Sequence, residues 1–206
     1  MVVDTEGLVE RIRRFIDDDR AAQMLGKYYS GSYTGALFDI APSLRSDEPN
    51  RLTAHDMAAV ATLSVPLSGR AVAGLVDRSD ELAEKLKQVP DVDLAQADDD
   101  ALSALYRLQG AVDEIDDIGH VTRSKLLAHK RPRLVPIRDQ HVLGALMGLD
   151  HGPFTEPLRA ALGADERIIE RLDELARGAD LNGLSPLRVL DVVVWMTAHG
   201  NAQVPD

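Results

Sequence analysis

The chain has 206 residues, of which 45% are apolar and 28% charged, with no cysteine and a net charge of −11. That make-up suits a globular protein and not a disordered one. It excludes disulfides, thiolate zinc sites and cysteine-ligated iron–sulfur clusters, and no cofactor is expected. No run approaches the ~18–20 uncharged apolar residues needed to span a bilayer. Met1-Val2-Val3-Asp4-Thr5-Glu6 has no basic region ahead of an apolar run, so no signal peptide is expected and a cytoplasmic location is the default.

The pattern predicts an all-α, multi-helix globular protein of eight or nine helices. It forms one helical domain over 1–206, or two lobes meeting near 90–100. The first helix follows Thr5 and carries Leu8, Ile12, Phe15 and Ile16 on one face. Between Tyr28 and Pro42 two glycines among aromatics predict a structured loop or short hairpin, and a polar loop follows over 43–51. Thr53 with Asp56 forms a capping box for a helix to about Ser64. Pro66 ends it, Ser68 caps the next through Val76, and Ser79-Asp80-Glu81 opens another reaching Gln88. The acidic, aperiodic stretch 90–100 is the best linker. Asp98, Asp99 and Asp100 then head a helix to about Ile115, where negative charge suits the helix dipole.

A sharp turn at 116–122 leads into a basic helix that stops near Lys130 because Pro132 follows. About 101–130 therefore reads as a helix–hairpin–helix element. Pro136 introduces a helix over 139–147, and further helices span 155–162 and 165–177. The last is capped by Ser185 with Pro186 in its first turn. It is apolar nearly all round, hence central, with Trp195 expected in the core.

Charge is unevenly spread. Arg123, Lys125, Lys130, Arg131, Arg133 and Arg138 fall in one stretch with no acid, while the rest of the chain holds 17 basic against 34 acidic residues. Such an island marks a face that should meet an anion. A tight turn between helices exposes backbone N–H groups with no intrahelical acceptor, glycine lets that backbone come close to a ligand, and the following helix points its positive end at the same spot. Gly119, His120, Val121, Thr122, Arg123, Lys125, Lys130, Arg131 and Arg133 are accordingly the candidate contacts to a nucleic-acid backbone.

Ile118-Gly119-His120-Val121-Thr122-Arg123-Ser124, followed by Pro136-Ile137-Arg138-Asp139-Gln140-His141-Val142, resembles the helix–hairpin–helix DNA glycosylase superfamily. There a Gly-hydrophobic-Gly hairpin precedes a Thr and then, about seventeen residues on, an essential Asp in a Pro-x-x-Asp-x-x-Val type motif. Thr122 and Asp139 are 17 apart. The resemblance implies DNA binding and repair by base excision, with Gly119 as the second hairpin glycine and Asp139 as the catalytic aspartate. That carboxylate would stabilise positive charge at the anomeric carbon and orient a water. The extruded base would need an aromatic or apolar pocket. Tyr28, Tyr29, Tyr33 and Phe38 are the aromatic concentration that could supply it.

Two departures stand out. Asp117 occupies the first glycine's place. Val121 stands where lyase-type members carry their lysine, so the implied activity is that of a monofunctional N-glycosylase, or of a relative whose catalysis has lapsed. The whole chain is also similar to an uncharacterised bacterial family with a domain of unknown function, which implies no activity.

Other readings use the same residues. Asp139 suits a plain helix cap, and the aromatic cluster suits a core plug or hairpin. The basic run suits a solvated face, or a bridge to the acidic stretches 91–100 and 113–117. Functionally, the alternatives are a non-enzymatic interaction module docking an acidic protein through 123–138, or an enzyme on a small phosphorylated or nucleoside ligand. No histidine pair has metal-site spacing with a carboxylate, so no metal is expected.

Overall fold

The computed structural model describes residues 4–148 and 152–199. Every regular element among them is helical, and no helix is long and apolar enough to cross a membrane. Helix α1 (Thr5–Ile16) starts on Asp4, whose carboxylate accepts the Glu6 and Gly7 amides, and it buries Leu8, Ile12 and Ile16. α2 (Ala21–Lys27) passes into a π-helical turn, Tyr28–Ser32, with Gly31 at φ 98. Of the structured loop or short hairpin expected here, the hairpin does not form; tight helical turns take its place, with Thr34–Ala36 as 3-10 and α3 (Leu37–Ile40) following. One glycine at positive φ is enough to redirect the chain without strands.

Thr53 and Asp56 form the expected capping box of α4 (Ala54–Thr62). Ser68 caps α5 (Gly69–Asp77), accepting the Ala71 amide, and α6 (Ser79–Lys87) comes directly after. Asp98 caps α7 (Asp99–Asp113), whose apolar side buries Leu102, Leu105, Leu108 and Val112. α8 (His120–Lys130) and α9 (Gln140–Met147) follow, and α9 closes on Gly148 at φ 68. α10 (Thr155–Ala164), α11 (Glu166–Gly178) and α12 (Pro186–Ala198) complete the chain.

The described chain divides into two compact units whose boundary is not a single linker. Unit 1 comprises 4–33, 94–96, 136–148 and 152–199; unit 2 comprises 34–93 and 97–135. The acidic stretch 90–100 is therefore no spacer. Leu94 is buried in a 3-10 turn, Leu94–Gln96, that packs on α10 within unit 1. Charge masked this: a single buried leucine among the five aspartates of 91–100 leaves no periodic pattern to read.

In unit 1, α12 is the central helix, as its composition predicts. Nine of its thirteen residues are buried, including Leu187, Val189, Leu190, Val192, Val193 and Val194, and it packs against α1, α2, α9 and α11. Burying each such side chain is worth roughly 1.5–3 kcal/mol. In unit 2, α8 packs on α4 and α7. α5 comes so close to Ile115 that a Cβ at Gly74 would meet Ile115 Cγ2 at 2.5 Å.

Candidate functional site

The turn from α7 to α8 lies wholly in unit 2. Ile115 and Ile118 are buried and anchor it, and the Ile118 amide donates to the Ile115 carbonyl at 3.2 Å. Asp117, between them, sits at φ 63, a left-handed conformation that costs an ordinary L-residue energy and that glycine adopts freely. Its carboxylate accepts the Ser68 hydroxyl at 2.7 Å. Aspartate tolerates this backbone better than most residues, which explains an acid at this point of the turn.

Gly119 is the N-cap of α8 at φ −85, and a Cβ there would meet nothing within 4 Å. Neither backbone nor packing demands glycine at 119. It offers no side chain to cap the first amides of α8, and Gly119 and His120 are exposed. Val121 and Thr122 are half-buried behind them.

The basic side chains that follow do not form the expected outward face. Lys125 is buried and its Nζ donates to the Leu63 carbonyl at 3.1 Å, at the C-terminal end of α4. Arg123 pairs with Asp113, and Arg133 with Asp93, Nε to Oδ1 at 2.8 Å. Lys130, with only 4% of its side chain exposed, pairs with Asp56 at 2.9 Å and donates to the Glu48 carbonyl at 3.0 Å.

Arg131 is the most fully engaged. Its Nε donates to Val89 O at 2.8 Å, one terminal nitrogen to Pro49 O and Lys130 O, and the other to Asn50 Oδ1 and Leu86 O. A guanidinium has five N–H groups and all five are spent. Burial pulls the Arg131 pKa down from its ordinary value, against a rise from the nearby Asp91 charge. Lys125, Lys130 and Arg131 thus meet their acceptors inside unit 2, whereas Arg123 and Arg133 pair with carboxylates nearer its surface. Two of these partners, Asp93 and Asp113, lie in the acidic stretches to which the sequence allowed a bridge. The others are carbonyls and Asp56, invisible from spacing alone.

Asp56 is the hub of this network. Fully buried, it accepts the Thr53 amide and hydroxyl on Oδ2 at 2.7 and 2.9 Å, and its Oδ1 lies 2.6 Å from His129 Nδ1. Burial alone would raise its pKa. The hydrogen bonds from His129, Lys130 and the Thr53 amide outweigh that and hold it below the usual 3.8. Phe38 packs edge-on against His129, ring centroids 5.0 Å apart. Phe38 is a buried side chain of unit 2, whereas the three tyrosines belong to unit 1.

In unit 1, Asp139 is the N-cap of α9, half-buried, with Oδ1 accepting the His141 amide at 2.9 Å. From His141 a run of rings continues through the same unit. His141 meets His199 at 4.3 Å and His199 stacks on Trp195 at 4.4 Å. Trp195 meets Tyr33 edge-on at 5.9 Å, and Tyr33 stacks on Tyr28 at 5.3 Å. Tyr29 meets Tyr28 edge-on at 5.1 Å.

Tyr28 is buried, while Tyr29, Tyr33 and Trp195 are half-exposed and His199 exposed. Trp195 is thus not the fully buried core residue expected; it is partly exposed near the C-terminal end of α12. Beneath the rings Arg188 pairs with Asp191, donates to the Tyr28 hydroxyl at 3.0 Å and lies 5.3 Å from its ring centroid. This buried pair escaped the sequence reading, although a charged i, i+3 pair in a nearly apolar helix was its signal.

A cleft of about 390 Å³ between α1 and α11 is lined by Arg13, Arg167 and Arg171 with Asp17, Glu170 and Glu174. Asp165 takes up both Arg13 and Arg167. Arg171 is taken up by Glu174 and the Ile16 carbonyl. These charges cancel locally.

A protein whose described residues form only helices, with an exposed α7–α8 turn in one unit and a carboxylate heading a run of rings in the other, is the class that the geometry defines. Residues 21–198 match the model of a family of unknown function, DUF6308, and the chain belongs to that family. No curated protein and no solved structure matches it.

Proposed function

We propose that the protein binds DNA in the manner of the helix–hairpin–helix glycosylases and acts as a monofunctional N-glycosylase, with Asp139 as the working carboxylate. The observation that carries this reading is the company Asp139 keeps. Within unit 1 it heads α9 next to the ring run His141–His199–Trp195–Tyr33–Tyr28, in which His199 is exposed, His141, Trp195 and Tyr33 are partly exposed and Tyr28 is buried.

An extruded nucleotide needs a π surface for its base and a negative charge near its sugar. Stacking on one aromatic is worth about 1–3 kcal/mol per base. A carboxylate beside the anomeric carbon stabilises the oxocarbenium-like transition state and orients the water that attacks it. The N-glycosidic bond breaks with its electron pair leaving on the base, water oxygen bonds to the sugar carbon, and the proton that water loses to the Asp139 carboxylate ends on the departing base. Val121 offers no amine, so no Schiff base forms and the strand is left intact.

The separate contribution of unit 2 is a phosphate contact through backbone amides at Gly119–Thr122. It is supported by the left-handed backbone at Asp117, the place that the resemblance gives to the first hairpin glycine, and by the open space at Gly119. Lys125, Lys130 and Arg131 have no part in it, because their charged ends are consumed internally.

The test is single-turnover release of base from duplexes carrying deaminated, alkylated or oxidised bases, with wild type and Asp139→Asn. Release by wild type, and its loss in Asp139→Asn with DNA binding retained, is expected. Binding without release from any substrate leaves a DNA-binding protein and removes the enzyme. No binding to intact, mismatched or abasic duplex removes both.

A further inference from the structure

The large apolar side chains left exposed among the described residues, Leu37, Ile40, Val72, Val76 and Tyr106, all lie in unit 2. Two of them stand one turn apart on α5, where Val72 is 37% and Val76 59% exposed. The helix divides cleanly. Ala71 and Leu75 are buried, whereas Gly69, Arg70, Val72, Ala73, Val76 and Asp77 are all exposed. At 100° per residue these six cover one continuous side of the helix.

The charges at the ends of that side are the second observation. Arg70 and Asp77 are seven residues apart, two turns, so they sit on the same flank about 10 Å from each other along the axis. Neither enters an ion pair or a hydrogen bond through its side chain. In unit 2, Arg107 is the only other Lys or Arg in that condition, since every other cation there is taken up by a carboxylate or a carbonyl. A unit that pairs its cations so thoroughly leaves Arg70 unmatched at one end of this apolar strip, with the Asp77 carboxylate at the other.

We infer that this face of α5 docks a second copy of the same chain, helix against antiparallel helix about a two-fold axis. Antiparallel pairing places Arg70 of each copy opposite Asp77 of the other, so both lone charges are matched twice over. The same operation sets Val72 against Val76 of the partner, and Ala73 falls near the axis, where a small side chain lets two helices approach closely. Self-complementarity of this kind is what an isologous two-fold contact requires. A single nine-residue helix buries far less than the ~800 Å² per partner of a standard interface, so the dimer is weak, with a dissociation constant on the order of 0.1 mM.

Sedimentation equilibrium on the full chain at low salt, from about 10 µM to about 1 mM, reads the association. Wild type is expected to shift from monomer to dimer across that range. Arg70→Asp and Asp77→Arg each set like charges face to face, and each should weaken association about tenfold or more. The double variant Arg70→Asp/Asp77→Arg restores the match with polarity reversed and should recover it. Both positions are exposed, and circular dichroism confirms that the variants fold. Wild type that stays monomeric throughout, single variants that dimerise like wild type, or a double variant that fails to recover each overturns the inference.

Discussion

Arg131→Ala offers the sharpest perturbation of the basic segment. A surface cation in a solvated patch can be truncated within about ±0.5 kcal/mol. Arg131 instead supplies five hydrogen bonds to the carbonyls of Leu86, Val89, Pro49 and Lys130 and to the Asn50 side chain, and the residue is 5% exposed. Bonds involving a charged group are worth about 1.5–3 kcal/mol each, far from additively, and truncation leaves buried acceptors unpaired.

A loss of about 3–5 kcal/mol is therefore expected. At roughly 2–4 °C per kcal/mol for a domain of this size, Tm should fall by about 10 °C. Arg131→Lys, with three donors on a point charge, should recover only part of the loss. Thermal melts followed by circular dichroism measure both, with Arg107→Ala as an exposed control that should barely move. A fall of under about 2 °C in Arg131→Ala would refute the claim that this side chain is an internal staple.

Asp56→Asn should destabilise strongly at pH 7, since it leaves Lys130 and His129 without their anion. The wild-type advantage depends on pH with a definite sign. The folded-state pKa of Asp56 lies below 3.8, so its stabilisation is present above that value and is lost as pH falls through the lowered one. Melts from neutral pH down to about pH 3 should show the two proteins converging, and a constant gap would contradict the assignment. Gly74→Ala should cost about 1–3 kcal/mol, because the new methyl meets Ile115 Cγ2 at 2.5 Å; a neutral melt would mean that Ile115 moves aside freely. Gly119→Ala has room and an ordinary backbone, so its Tm should stay within about 1–2 °C of wild type while DNA affinity drops. Unchanged affinity would remove the turn as a contact.

Local chemistry was readable to within a residue or two. The caps at Thr53, Ser68, Asp98, Asp139 and Ser185 all hold the helices they announce, because a cap and its amides lie within one turn of sequence. Long-range partners were not. Lys125, Lys130 and Arg131 look like a positive face, since their acceptors at 48–50, 63 and 86–89 are neutral carbonyls that leave no mark in composition. Asp56 read as a capping-box residue and is one, yet its second carboxylate oxygen organises α8 from 73 residues away. The tyrosines at 28–33 formed a visible cluster, but Trp195, His199 and His141 joined them through the packing of α12 on α2 and α9, which periodicity does not encode. Compact two-unit organisation with chain crossings near 34, 94–97 and 136 left no compositional break either.

The salt dependence of DNA binding tests the central claim most directly. Fluorescence anisotropy with a labelled abasic duplex, titrated across a series of salt concentrations, gives the slope of log K against log salt, about −0.9 per phosphate neutralised. Contact through the turn amides, with Lys125, Lys130 and Arg131 committed to internal acceptors, predicts measurable binding at low salt and a shallow slope of about −1 to −2. A slope near −5, as six engaged cations would give, or no binding at any salt concentration, would contradict it.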